Sequence, residues 1–174
     1  MFIFREELEA LPINQPTFNV AKIIDECPSL QRLVDLGVDL SVWEESEKRD
    51  GKNMEIALRL DFVSDAIPRI RWLVDHGINH QKIADIFTLN PKIFDITLDE
   101  MNRSVDYLKS KRFSSRSIAQ ILLETSCRWL NYSVTDVDSR LGYFQKNFRL
   151  TGDEVRQLAK NGSTLMLWSG VPYQ

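Results

Sequence analysis

Apolar residues recur three and four positions apart along most of the chain, the spacing that lines one face of an α-helix. Ile67, Ile70, Leu73 and Val74 form one such stripe, and Gly77 ends it. Glycine suits the left-handed residue that follows a helix. Asn79 is placed to cap a second helix carrying Ile83, Ile86 and Phe87. Asn90-Pro91 closes that helix, because proline disfavours helical geometry in the residue before it. Pro91 then opens a short third helix, at the first-turn position where its missing N–H costs nothing. Ile93, Phe94 and Ile96 supply the apolar side of that helix.

The pattern recurs. Leu33–Val38 reads LVDLGV and Leu73–Ile78 reads LVDHGI. A shift of 35 carries Ile70, Leu73, Ile78, Ile83, Ile86, Phe87 and Phe94 onto Val105, Leu108, Phe113, Ile118, Ile121, Leu122 and Trp129. A further shift of 37 carries Phe113, Ile118, Ile121 and Trp129 onto Leu150, Val155, Leu158 and Met166. The candidate caps keep the same register, with Asn79, Ser114 and Thr151 each just before a second helix. Thr97 with Glu100, and Thr151 with Glu154, fit the capping box, and Ser133 with Asp136 is a shorter version.

The unit is therefore long helix, second helix, short helix, in about 35 residues. Such units bury their apolar faces against one another and build an all-α solenoid, right- or left-handed. The register divides the chain into a 1–16 extension, a degenerate first repeat over 17–62, repeats over 63–97, 98–133 and 134–169, and a 170–174 tail. In the degenerate repeat, Cys27–Leu30 (CPSL) predicts a proline-started short helix ahead of Leu33–Gly37. Ser41 with Glu44 offers a capping box, and the polar run Glu44–Asn53 predicts an exposed loop.

Composition narrows the class. With 174 residues, 43% hydrophobic and 27% charged, the chain buries a real core and has no apolar run long enough for a membrane helix. Cys27 and Cys127 lack partners in sequence, which fits a reducing compartment. Glu6, Glu7 and Glu9 near the N-terminus are foreign to secretory and transit peptides, so no targeting segment is expected within this chain. The net charge of −3 is unevenly placed. Residues 1–97 hold 11 Lys/Arg against 17 Asp/Glu, and residues 98–174 hold 11 against 8. An acidic first part precedes a mildly basic second part.

No GxGxxG, P-loop, GxSxG or HExxH motif occurs, so neither an enzyme, a cofactor nor a small-molecule substrate is expected. His76 and His80 have the spacing of helical metal ligands, but Gly77 and Asn79 put a turn between them. Glu44, Glu45 and Glu47 lack the spaced pattern of a calcium loop. Trp43, Trp72, Trp129 and Trp168 are candidate base-stacking platforms, but the places of Trp72 and Trp129 in the apolar register read as core. Cys127 has no identified base beside it, which argues against a nucleophile.

Several phrases, LQRLVDLGVDLS, LRLDF, VDYLKSKRFS, LNYSV and SRLGYFQKN, occur in order over about residues 28–160. Together with the three-helix unit and its proline-opened short helix, they resemble the mitochondrial transcription termination factor (mTERF) family, in its member-three subgroup. Two departures stand out. Ser126 and Ser163 occupy the places that correspond to Pro91, where a hydroxyl is itself a competent cap. The family also carries more repeats, so the chain looks like the N-terminal half of a member. Leu165, Leu167 and Trp168 would then form an exposed, sticky end that invites a protein partner.

The resemblance implies nucleic-acid binding along a basic solenoid face, a place in the mitochondrial matrix and modulation of mitochondrial transcription. The residues that fit are Lys109, Lys111, Arg112 and Arg116 at one turn, with Arg140, Lys146 and Arg149 one unit on. Cations along one face meet phosphates and release counterions. The competing account is a solvated charged loop. Double-stranded mitochondrial DNA is the first candidate partner. The family also suggests ribosomal RNA or assembly proteins in mitochondrial ribosome biogenesis, and the acidic first part leaves a protein-interaction scaffold as a third reading.

Overall fold

The computed structural model describes residues 24–50 and 52–167, and every regular element among them is helical. In chain order these are α1 (Pro28–Asp35), α2 (Leu40–Asp50) and α3 (Asn53–Arg59). A single π-helical turn, Phe62–Ala66, then leads into α4 (Ile67–Asp75). A 3-10 turn, His80–Lys82, runs into α5 (Ile83–Leu89), and the 3-10 segment Pro91–Asp95 follows. Next come α6 (Leu98–Ser110), α7 (Ser115–Glu124) and the 3-10 segment Arg128–Asn131. The described chain closes with α8 (Val134–Asn147), α9 (Gly152–Asn161) and α10 (Ser163–Met166). Long helix, second helix and short segment thus succeed one another three times.

The helix starts follow from local chemistry. Thr97, Ser133 and Thr151 form complete capping boxes with Glu100, Asp136 and Glu154. Ser114 accepts from the Ser117 amide, and Asn79 from that of Gln81. Donation from the Thr97 and Thr151 backbone N–H groups, then from their hydroxyls, holds Glu100 and Glu154 below their ordinary range near 4.5. A carboxylate whose folded pKa is depressed stabilises the fold above its unfolded value and loses that contribution as pH falls through the folded one. Wild type is therefore expected to exceed a Glu100→Gln/Glu154→Gln double variant in urea midpoint above about pH 4.5. The gap should close on acidification; a gap constant down to pH 3 would contradict the capping account.

Three expectations change in the degenerate repeat. CPSL does not make a separate short helix: Pro28 sits in the first turn of α1, which runs unbroken through Leu33 to Asp35. The cap before α2 is Asp39, whose carboxylate accepts from the Ser41 amide at 3.0 Å and from its hydroxyl at 2.6 Å. Asp39 thus takes the Ser41 amide that the expected Ser41–Glu44 box would have left to Glu44. The run expected to be a loop is helical through Asp50, and Asn53 is buried at the start of α3. Trp43 anchors that helix: it is 1% exposed and its indole N–H donates to the Phe87 carbonyl at 3.1 Å. Glu, Lys and Arg sustain a solvated helix as readily as a loop, so polarity did not distinguish the two.

The core runs through the stacked units. Leu33, Leu73 and Leu108 are fully buried, as are Phe87, Ile93, Met101, Ile121 and Leu122. Trp72 and Trp129 lie in it, as their register implies, while Trp168 lies outside the described residues. Gly37 (φ +100°) and Gly77 (φ +86°) adopt the left-handed turn read from LVDLGV and LVDHGI. A Cβ on Gly77 would lie 3.6 Å from the Ala119 methyl, and one on Gly37 3.4 Å from that of Ala84. Each such turn therefore packs against the second helix of the following unit.

The serines that replace proline behave differently from expectation. Ser126 (φ 48°) and Cys127 (φ 60°) are both left-handed, which proline, fixed near −65°, is unable to adopt. Neither serine caps a helix: Ser163 donates to Glu124 Oε2 at 2.9 Å instead, tying α10 to α7. Cys127 is buried, and burial pushes its thiol up to about 12, far from the thiolate that nucleophilic chemistry requires.

Candidate nucleic-acid interface

The turn that holds Gly77 in one unit holds Arg112 in the next and Arg149 in the one after. Both arginines keep the left-handed backbone of the glycine they replace, at φ 65° and 53°. An L-residue with a long side chain pays about 1–2 kcal/mol for that conformation. Both side chains are exposed and make no ion pair among the described residues. Arg116, in the first turn of α7, and Lys146, in the last turn of α8, are also exposed without an ion pair among those residues. Four cations therefore stand in solvent at two successive turns.

Lys109 and Lys111 stand at the same turns with carboxylate partners. Lys109 Nζ is 3.4 Å from Asp106 one helical turn back. Lys111 Nζ is 2.8 Å from Asp138 on α8 and 5.2 Å from the centre of the Tyr107 ring. Tyr107 donates its hydroxyl to the same Asp138 at 2.5 Å. Bonds from Lys111 and then Tyr107 hold the Asp138 carboxyl below its usual range, while burial and Asp138 push the Tyr107 hydroxyl up. Arg156 of α9 donates to the Lys111 carbonyl at 3.2 Å and pairs with Asp153, bracing the turn from the other side. Exposed pairs of this kind are worth little.

Lys109 and Arg116 share a cleft of about 430 Å³ with Ser115, Asp75 and His76. His76 is occupied locally: its Nδ1 lies 2.8 Å from the Trp72 carbonyl and its ring stacks on Trp72 at 3.9 Å.

Arg140 does not join this surface. It is 4% exposed, on the inward stripe of α8 with Val137, Leu141 and Phe144, and its guanidinium lies 4.2 Å from the Tyr132 ring centre. Arg69, on α4, is a second core arginine. Arg69 is 8% exposed and donates to the carbonyls of Asp65, Ile93, Phe94 and Ile96. Sequence reasoning also missed Tyr107, Asp138 and Arg156, whose partners lie 31 to 45 residues away and follow no motif. Phe148, 60% exposed beside Arg149, was missed too.

At the far end, Leu165 is 45% exposed and Leu167 is half-buried, its carbonyl accepting from the Tyr132 hydroxyl at 3.3 Å.

Fold and turns together define an α-helical repeat protein whose later units carry cations where the earlier ones carry glycine. No protein-family model matches the chain. It is 42% identical over 144 residues to the mitochondrial transcription termination factor 3 of Drosophila melanogaster, covering 83% of this chain and 39% of that protein. The proteins of the same name from Mus musculus and Rattus norvegicus are each 36% identical over 85% of this chain and 34% of their own length. The chain belongs with the mitochondrial transcription termination factors, as a member-three-like sequence. It spans little more than a third of the length of these relatives.

Proposed function

We propose that this chain is part of a nucleic-acid-binding regulator of mitochondrial transcription, which docks the backbone of duplex DNA along the turns after α6 and α8. The observation that carries the reading is the left-handed backbone of Arg112 and Arg149. Glycine holds that conformation without strain at Gly37 and Gly77. Retaining two strained arginines, with charged ends in solvent, makes sense where the side chain has a ligand. Arg116 and Lys146 add charge on the same turns, and Lys109 and Lys111 add more once a phosphate displaces their carboxylates. The printed names of the relatives, mitochondrial transcription termination factors, support the compartment and the process.

Strain and binding can be separated. Arg112→Gly with Arg149→Gly is expected to stabilise the fold by about 0.5–1 kcal/mol per site. That raises Tm by roughly 2–4 °C per kcal/mol in a chain of this size. The same variant should bind duplex DNA about tenfold more weakly and flatten log K against log salt by about 1.8, or about 0.9 per lost contact. A more stable variant with unchanged affinity would overturn the reading.

A further inference from the structure

We infer that the row of turns ending the first helices is a self-complementary surface that takes a second copy of this chain. The row is continuous. A Cβ on Gly37 would meet Ala84 of α5, one on Gly77 would meet Ala119 of α7, and Arg156 of α9 bonds the Lys111 carbonyl. Each of the first three turns therefore sits on the second helix of the next unit, and the four turns succeed one another along the stack.

The chemistry of the row reverses halfway. Three places before the left-handed residue of each turn stand Val34, Val74, Lys109 and Lys146, all exposed. One place on, the first two turns carry Asp35 and Asp75, where the later two carry Ser110 and Asn147. The first half is thus apolar and acidic, the second half cationic. The sign changes at the cleft that Asp75 shares with Lys109 and Arg116.

The acidic half lacks partners within the chain. Asp35 ends α1 and Asp75 ends α4, at the negative pole of each helix, where a carboxylate is disfavoured. Neither pairs with a cation among the described residues. Val34 and Val74 beside them are 43% and 46% exposed. A two-fold rotation about the cleft supplies what is missing. It lays the first turn on the fourth of the other copy and the second on the third, twice over, as an isologous interface requires. Asp35 then faces Lys146 and Arg149, Asp75 faces Lys109 and Arg112, and Val34 faces the open side of the Phe148 ring. A uniformly basic or acidic partner would match half of the row, whereas this chain reversed matches all four turns. Pairing covers the cations that duplex DNA would need, so association and DNA docking exclude each other.

Association is measured without nucleic acid, so its failure leaves the DNA-docking reading untouched. In sedimentation velocity from about 5 to 500 µM, at about 0.05 M salt, wild type should approach twice the mass of one chain. The dissociation constant should rise about tenfold by roughly 0.5 M salt, as the charges are screened. Asp35→Lys with Asp75→Lys leaves cations facing cations and should be monomeric. The quadruple variant Lys109→Glu, Arg112→Glu, Lys146→Glu and Arg149→Glu should be monomeric for the opposite reason. Mixed in equal amounts, these two should form a heterodimer at least as tight as the wild-type pair, a rescue that misfolded chains would not give. Glu45→Lys with Glu55→Lys, the same change of net charge on α2 and α3, should dimerise like wild type. Wild type monomeric up to about 500 µM overturns the inference. So do variants that stay apart on mixing, or an Asp35→Lys/Asp75→Lys chain that dimerises as wild type does. Equal loss in Glu45→Lys/Glu55→Lys assigns association to net charge and overturns it as well.

Discussion

Replacing Arg112, Arg116, Lys146 and Arg149 together by glutamate is expected to weaken binding to duplex DNA by roughly 10²–10³-fold near 0.1 M salt. The slope of log K against log salt should fall in magnitude by about 3.6, because each phosphate contact contributes about 0.9. All four side chains are exposed and none forms an ion pair among the described residues, so their loss leaves the packing intact. Reversal rather than neutralisation is chosen because Lys109 and Lys111 remain on the same turns and would keep part of the attraction. Lys52→Glu, an exposed change ahead of α3 in the acidic part, serves as a control and should move affinity less than twofold. Running the titration on structured RNA as well separates the two nucleic-acid readings. A loss seen on RNA with no measurable DNA binding would transfer the function to ribosome assembly. An unmoved slope on both polymers would leave these cations as a solvated face and favour the scaffold reading.

Arg69→Ala is expected to be the most destabilising single change in the described fold, by about 3–5 kcal/mol in urea unfolding. The guanidinium donates through Nε to Ile93 at 2.9 Å, through Nη1 to Asp65 at 2.8 Å, and through Nη2 to Phe94 at 3.1 Å and Ile96 at 2.6 Å. It also lies over the Phe94 ring, 5.7 Å from its centre. These bonds clamp α4 onto the short Pro91–Asp95 segment, whose carbonyls have few other partners because a 3-10 turn is too short to satisfy them. Truncation strands several buried acceptors at once, which is dearer than losing the bonds themselves. Arg69→Lys should recover little, since an ammonium lacks the planar fork that reaches several carbonyls. A loss below 1 kcal/mol would mean that water replaces the guanidinium and the clamp is incidental.

Local features were readable from the chain. The three capping boxes, the glycine turns and the helix opened by Pro91 each depend on residues within about five positions of one another. Their stereochemistry is therefore written in short words of sequence. The failures are of two kinds. Where polar residues continue a helix, as from Glu44 to Asp50, composition is silent, because burial of Trp43 on one side decides the outcome. Where a charged residue faces inward, as Arg140 does, counting cations misassigns it to the surface.

The sequence by itself determined the all-helical repeat fold, the left-handed glycine turns at Gly37 and Gly77, and the family to which the chain belongs. It also showed that the last two turns exchange glycine for cations. The tertiary structure decided which cations stand free, because that depends on carboxylates such as Asp138 brought across from another helix. It also decided that Arg112 and Arg149 keep the backbone of glycine, and that Phe148 leaves a ring face in solvent. A turn's conformation is local, whereas charge neutralisation and exposure depend on what the next unit places against it.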